Sequence, residues 1–165
     1  MTKLNRILFL LFIFLAFHIT AFAQEEPSAI KELSRGADVI LTGKVTQKIS
    51  SWDKTKSRIY TKVSLQVDEY LKGTNNDNFV EVIYPGGEVG DVGEIYTHMP
   101  TFEDNEEVLV FLKKDLINQG YQVFSGEKGK ITVLRDAKTK EKVSRTNARI
   151  EVIKRQIKDF IKTQQ

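Results

Sequence analysis

No cysteine occurs anywhere in the 165 residues. Disulfides, thiol nucleophiles, cysteine-ligated zinc and iron–sulfur clusters are therefore excluded, and so is a lipid-modified cysteine anchor. Histidine is nearly as scarce. His18 falls in the N-terminal apolar segment, which leaves His98 as the only imidazole beyond it. A Ser-His-Asp triad would have to use His98, and no G-x-S-x-G elbow accompanies it. His98 reads as a surface residue near a strand end. Proline is limited to Pro27, Pro85 and Pro100, and Trp52 is the single tryptophan. Long apolar runs are absent with one exception, residues 7–17, so no later stretch is long enough to span a bilayer.

That one run has a recognisable setting. Lys3 and Arg6 precede it, and Ala21-Phe22-Ala23 follows it as an A-x-A site before Gln24. Residues 1–23 are thus expected to be a secretory signal peptide, with the product periplasmic or extracellular. Taking 23 from 165 leaves 142 residues, enough for one domain with its own core and no disulfides.

Charge is unevenly spread. Residues 24–123 carry 11 basic and 17 acidic side chains, whereas residues 124–165 carry 12 basic and 5 acidic ones. An acidic body with a basic tail is expected. The plainer reading of the tail is a solvated helix, and the functional one is contact with an anionic surface.

The pattern of apolar residues predicts a mainly β chain flanked by two helices. Ser28 can cap a short helix with Ile30 and Leu33 on one face, ended by Gly36. Residues 39–50 read as a strand, 51–57 as a hairpin loop, and 58–71 as the clearest strand, alternating over ten residues. Residues 72–78 are a turn by composition. Further strands are expected at 79–84, stopped by Pro85, at 94–98, and at 108–112, which is apolar on both faces and so central. Residues 121–124 and 130–134 are expected to form a pair around 125–129. A charged connector, 137–142, leads to a helix opened by Ser144 or Asn147, with Ile150, Ile153, Ile157, Phe160 and Ile161 as its stripe. The whole suggests a small closed Greek-key β-barrel, OB-fold-like, over 24–136, with 137–165 as basic connector and C-terminal helix. A β-sandwich would also satisfy the pattern.

ADVILTGKV from Ala37, then Trp52, RIYTKVSLQVDEYLKG from Arg58, PGGEVG from Pro85 and PTFEDNEEVLVFL from Pro100 together resemble a family of uncharacterised bacterial exported domains. Asn105 stands where that pattern usually has Gly, and Asn is the next best residue for a left-handed turn. In layout those domains are similar to the netrin-like OB barrel of tissue inhibitors of metalloproteinases. The resemblance implies a barrel. It does not carry over zinc chelation by an N-terminal cysteine, because this chain has none.

YPGGEVGDVG, residues 84–93, holds four glycines but is no phosphate cradle. Gly87, Gly90 and Gly93 are spaced by three, no Lys-Ser/Thr follows, and Glu88, Asp91 and Glu94 would repel an anion. A tight turn and bulge needing positive φ is expected instead. Glu103, Asp104, Glu106 and Glu107 lack the alternating ligands of a calcium loop and read as a solvated acidic turn. Trp52, Lys54, Lys56, Arg58, Tyr60, Lys62 and Tyr70 have the chemistry of a single-strand nucleic-acid platform. Export and the acidic body argue against that ligand. The expectation is a non-catalytic binding module, with no cofactor, metal or nucleic acid, recognising a protein or envelope partner. The candidate recognition surface is Trp52, Tyr60, Tyr84, Pro85, Gly86 and Gly87. The alternatives are a protease-inhibitor-like domain and a hydrolase with an inconspicuous carboxylate site.

Overall fold

A computed structural model describes residues 27–73, 77–116 and 120–164; the expected signal peptide and its cleavage site lie outside the described residues. In chain order the elements are α1 (Pro27–Gly36), β1 (Val39–Trp52), β2 (Ile59–Lys72), β3 (Phe79–Pro85), β4 (Gly87–Val89), β5 (Val92–Glu94), β6 (Glu107–Asp115), β7 (Gly120–Val123), a 3-10 turn (Gly126–Gly129), β8 (Lys130–Arg135), β9 (Lys142–Val143) and α2 (Ile150–Lys162).

Alternation explains β2. Ile59, Thr61, Val63 and Leu65 are at most 1% exposed, and the residues between them are wet or half-covered. Long antiparallel ladders join β1 to β2 and β2 to β3. The sheet then closes on itself. β3 pairs in parallel with β7 at Val82 and Tyr121, β7 pairs with β6, and β6 pairs with β1. Five strands thus form a hydrogen-bonded ring, β1-β2-β3-β7-β6. Three register shifts along the β1–β2 ladder let it bend, and Gly43 sits where a Cβ would come 2.5 Å from the Gln66 carbonyl oxygen.

Two cores follow from the ring. Val39, Leu41, Val63, Leu65, Val82, Val110 and Leu112 point into it. Ile40, Leu109 and Phe111 point outward and meet Ile30 and Leu33 of α1 and Ile150, Ile153 and Ile157 of α2. This is why residues 108–112 are apolar without alternation: both faces of β6 are covered. Each of the three α2 isoleucines is at most 2% exposed, worth roughly 1.5–3 kcal/mol of apolar burial apiece.

Several expectations need correction. Pro27 and Ser28 are both helical, so Ser28 lies inside α1 and is not its cap. The far end is closed by Lys72, whose ammonium donates to the carbonyls of Ser34 and Ala37, each at 2.6 Å. β7 and β8 do not pair with each other. They follow one another along the same edge of β6, because the 3-10 turn carries the chain onward without reversing it. The strand expected at 94–98 ends at Glu94, and the glycine stretch before it is the hairpin. His98 takes φ +63, which breaks any strand. The 137–142 connector is a turn stitched by Asp136, whose carboxylate accepts the amides of Lys138 and Thr139, and it returns the chain to β8 through β9. Neither Ser144 nor Asn147 caps α2. Its N-cap is Arg149, and Ser144 Oγ instead accepts the Thr146 and Ala148 amides in the preceding loop.

The basic helix is also partly neutralised. Lys154 and Lys158 both reach Glu69 of β2 at 2.6 Å, and Lys154 also reaches Glu151. Hydrogen bonds from Lys154 and Lys158 hold the Glu69 carboxyl below its ordinary range. Two of the cations available for an anionic surface are therefore turned toward the sheet. Among the described residues no helix is long and apolar enough to cross a membrane.

Candidate functional site

One end of the ring carries a groove of about 540 Å³. Its floor is built where β1, β2 and β3 run side by side. Ser50 pairs with Thr61, and Thr61 pairs with Tyr84, so the three side chains share a face. Thr61 Oγ1 donates to the Gly86 carbonyl at 2.6 Å, which leaves Ser50 Oγ to donate to Thr61 Oγ1 at 2.9 Å. Gly87 crosses directly above this pair. A Cβ there would lie 2.3 Å from Thr61 Oγ1 and 2.4 Å from Ser50 Oγ, and φ is +133. The glycine is thus required by close approach as well as by backbone conformation.

The hairpin β4–β5 forms one wall. Its loop is Gly90-Asp91 with Gly90 at φ +61, a glycine at the first central position as a two-residue hairpin favours. Glu94 straps the hairpin down: its carboxylate accepts the Ile59 amide at 3.0 Å and the Tyr96 hydroxyl at 3.1 Å.

The other wall is the stretch 99–103. Phe102 is 1% exposed and lies 5.8 Å from the Tyr84 ring. Burial pushes the Tyr84 phenol above its ordinary value. Lys48 donates to the Phe102 carbonyl at 3.0 Å, and Lys130 donates to the Thr101 carbonyl. Lys130 is the deeper anchor. Its ammonium pairs with Glu106 at 2.7 Å, each side chain being 8% exposed, and it stands 4.8 Å over the Phe102 ring. Glu106 also accepts from the Thr132 hydroxyl and the Glu103 amide. Burial opposes ionisation of Glu106, but these donors outweigh it and hold its carboxyl below the ordinary range. Burial also lowers Lys130, against the pull of Glu106.

The acidic run at 103–107 is therefore not uniformly solvated. Glu106 is buried in the ion pair with Lys130, Glu107 pairs with Lys142, and Glu103 and Asp104 remain exposed. Asn105 takes φ +64, as a left-handed turn requires.

The expected recognition residues divide. Tyr84, Pro85, Gly86 and Gly87 line the groove. Trp52 and Tyr60 do not line it: Trp52 ends β1 opposite Ile59, and Tyr60 pairs with Pro85 on the face away from Thr61. The sequence reading missed Ile95, Met99 and Val92. They are 97%, 39% and 47% exposed; Ile95 and Met99 line the groove, and Val92 stands on the hairpin beside its loop. A lone isoleucine between Glu94 and Tyr96 carries no periodic signal of its role. A second cavity, about 690 Å³, lies behind Met99, Pro100 and Thr101 and is floored by Ile30, Leu33, Phe124 and Ile131.

The chemistry of the carboxylates bears on the hydrolase alternative. Glu94 is committed to an amide and a phenol, and Glu106 to a lysine, so neither is poised as half of an acid–base pair. His98, 3.4 Å from Glu127, is 86% exposed in its side chain and stands outside the groove wall. Among the described residues no three His, Asp or Glu side chains converge to hold a metal. The inhibitor-like alternative turns on residues before Pro27, outside the described residues. No protein-family model matches the chain, and no curated protein does.

Proposed function

We propose that the ring is an OB-like Greek-key barrel and that the chain is an exported, non-catalytic binding module. In this reading it recognises a protein partner of the cell envelope or its surroundings through the groove between the glycine hairpin and residues 99–103. Five ring strands with one parallel pair support the OB-like assignment and fit the resemblance to netrin-like exported domains. The positively flanked apolar segment before an A-x-A site supports export.

One observation carries the binding reading. Ile95 is 97% exposed at the lip of a groove whose wall is stiffly held, and the half-exposed Met99 lines the same groove. Isolated exposed apolar residues are ordinary, but a cluster around a concavity marks an interaction site.

Photo-crosslinking tests it. A benzophenone amino acid replaces Ile95, or Lys138 on the distant 136–141 turn, in cells expressing the full chain. A discrete adduct from position 95 that is missing from position 138 is expected. No adduct at 95, or the same adducts from both positions, overturns the proposal.

A further inference from the structure

Among the described residues, β5 pairs only with β4, so its second edge is open. β4 packs over β1 and β2, which leaves β5 as the outer strand. Val89 and Val92 flank the two-residue loop and form the hydrogen-bonded pair; bonding alternates along an antiparallel ladder. Glu88 and Gly93 are then the non-bonded pair, and the Gly93 N–H and C=O point away from β4. An edge of this kind is a template for another strand.

The side chains beside that edge say what would fit. Glu88 faces Gly93 across the ladder, and its Cγ lies 3.5 Å from where a Gly93 Cβ would stand. Gly93 offers no side chain, so the Glu88 carboxylate is reachable from the open edge. Glu88 forms no ion pair or hydrogen bond with the described residues, and Asp91 at the tip forms none either. Val92, on the opposite face, is 47% exposed, and Ile95, just past the end of β5, is 97% exposed.

We propose that β5 is an acceptor edge, and that a partner segment adds to it as an extended third strand alternating basic and apolar side chains. A lysine or arginine opposite Gly93 meets Glu88, and an apolar neighbour meets Val92. Period-two alternation sends these to opposite faces, as the edge requires. The proposal rests on the reading above that this end of the ring is the partner site. It adds the mode and the chemistry.

A random peptide library displayed on phage, panned against protein purified from cells expressing the full chain, supplies the probe. Enriched peptides are then synthesised and titrated. Alternating basic–apolar sequences are expected, and Glu88→Lys should abolish their enrichment. Gly93→Pro removes the outward amide while sparing the ladder to β4, and it should weaken binding about tenfold, the loss of one interstrand hydrogen bond. Gly93→Ala keeps the amide but sets a methyl group 3.5 Å from the Glu88 Cγ, so it should weaken binding less than Gly93→Pro. Circular dichroism melts confirm that each variant folds; should the proline variant not fold, Glu88→Lys and the enriched sequences decide alone. Peptides that depend on Ile95 but lack the alternation, or that bind Gly93→Pro as tightly as wild type, overturn strand addition and leave the binding-module reading standing. No Ile95-dependent enrichment counts against both.

Discussion

Replacing Lys130 by methionine should be among the most damaging single changes near the groove. Lys130 and Glu106 meet at 2.7 Å with both side chains 8% exposed. Their gross attraction, at an effective dielectric of about 20, is on the order of 6 kcal/mol. Most of that offsets desolvation, so the intact pair adds little net stability. Removing one partner is different, because it strands the other charge. Methionine fills the lysine volume but leaves Glu106 buried with only the Thr132 hydroxyl and the Glu103 amide. The expected cost is about 3–5 kcal/mol, read from urea denaturation. The double variant Lys130→Met with Glu106→Gln should recover a large part of that loss. A single-variant cost below about 1 kcal/mol, or a double variant no better than the single, would refute the reasoning.

The same pair sets a pH signature. The Glu106 carboxyl of the wild type is held below its ordinary value, so its contribution is present above the unfolded value and is lost as pH falls through the folded one. In Lys130→Met the folded value of Glu106 rises relative to wild type. The stability gap between the two proteins is therefore widest near neutral pH and narrows as acidification protonates the stranded Glu106 of the variant before that of the wild type. A gap that widens on acidification contradicts the assignment of Glu106 as the stranded charge.

Two further outcomes follow from packing. Gly87→Ala forces a Cβ against Thr61 and Ser50 at φ +133, whereas Gly90, at φ +61, has open space around it. The first should cost about 2–4 kcal/mol and the second about 1 kcal/mol, compared by thermal melts; equal costs would mean that the groove floor yields. Ile157→Ala, at a residue that is 0% exposed, should cost about 2–5 kcal/mol by denaturant titration; a near-silent change would mean that α2 is not docked on the ring.

Much of the fold was readable because burial imposes short periods. Thr61 at 1% exposure keeps the alternation of β2 intact, and the uninterrupted 108–112 run correctly implied a strand covered on both faces. The stripe Ile150, Ile153, Ile157 stood out because nothing on the helix competes with it. What failed was pairing. β7 and β8 look like a hairpin because a glycine-bounded turn separates them, yet both pair with β6, and that choice is non-local. The 84–93 stretch did contain a hairpin signal, Val89-Gly90-Asp91-Val92. Its regular glycine spacing hid it, because only Gly90 belongs to the loop, while Gly87 serves the crossing over Ser50 and Thr61 and Gly86 the close approach to Glu94.

The groove shows why a site of this kind resists reading from a linear chain. Glu106 and its acidic neighbours are chemically alike in sequence, and what separates Glu106 is Lys130, contributed by a different strand. That lysine also holds the Thr101 carbonyl and covers the Phe102 ring, so a core ion pair fixes one wall. Glu94 fixes the other through Ile59 and Tyr96. Both walls are thus tied to the ring before any partner arrives, which lowers the ordering cost of binding. The rim that would touch a partner needs none of these ties, and Ile95 is exposed for that reason: its neighbours anchor the backbone, and its own side chain is left over. Weakening Lys130 should therefore loosen the groove in step with the fold, whereas changing Ile95 should alter recognition and leave the fold intact.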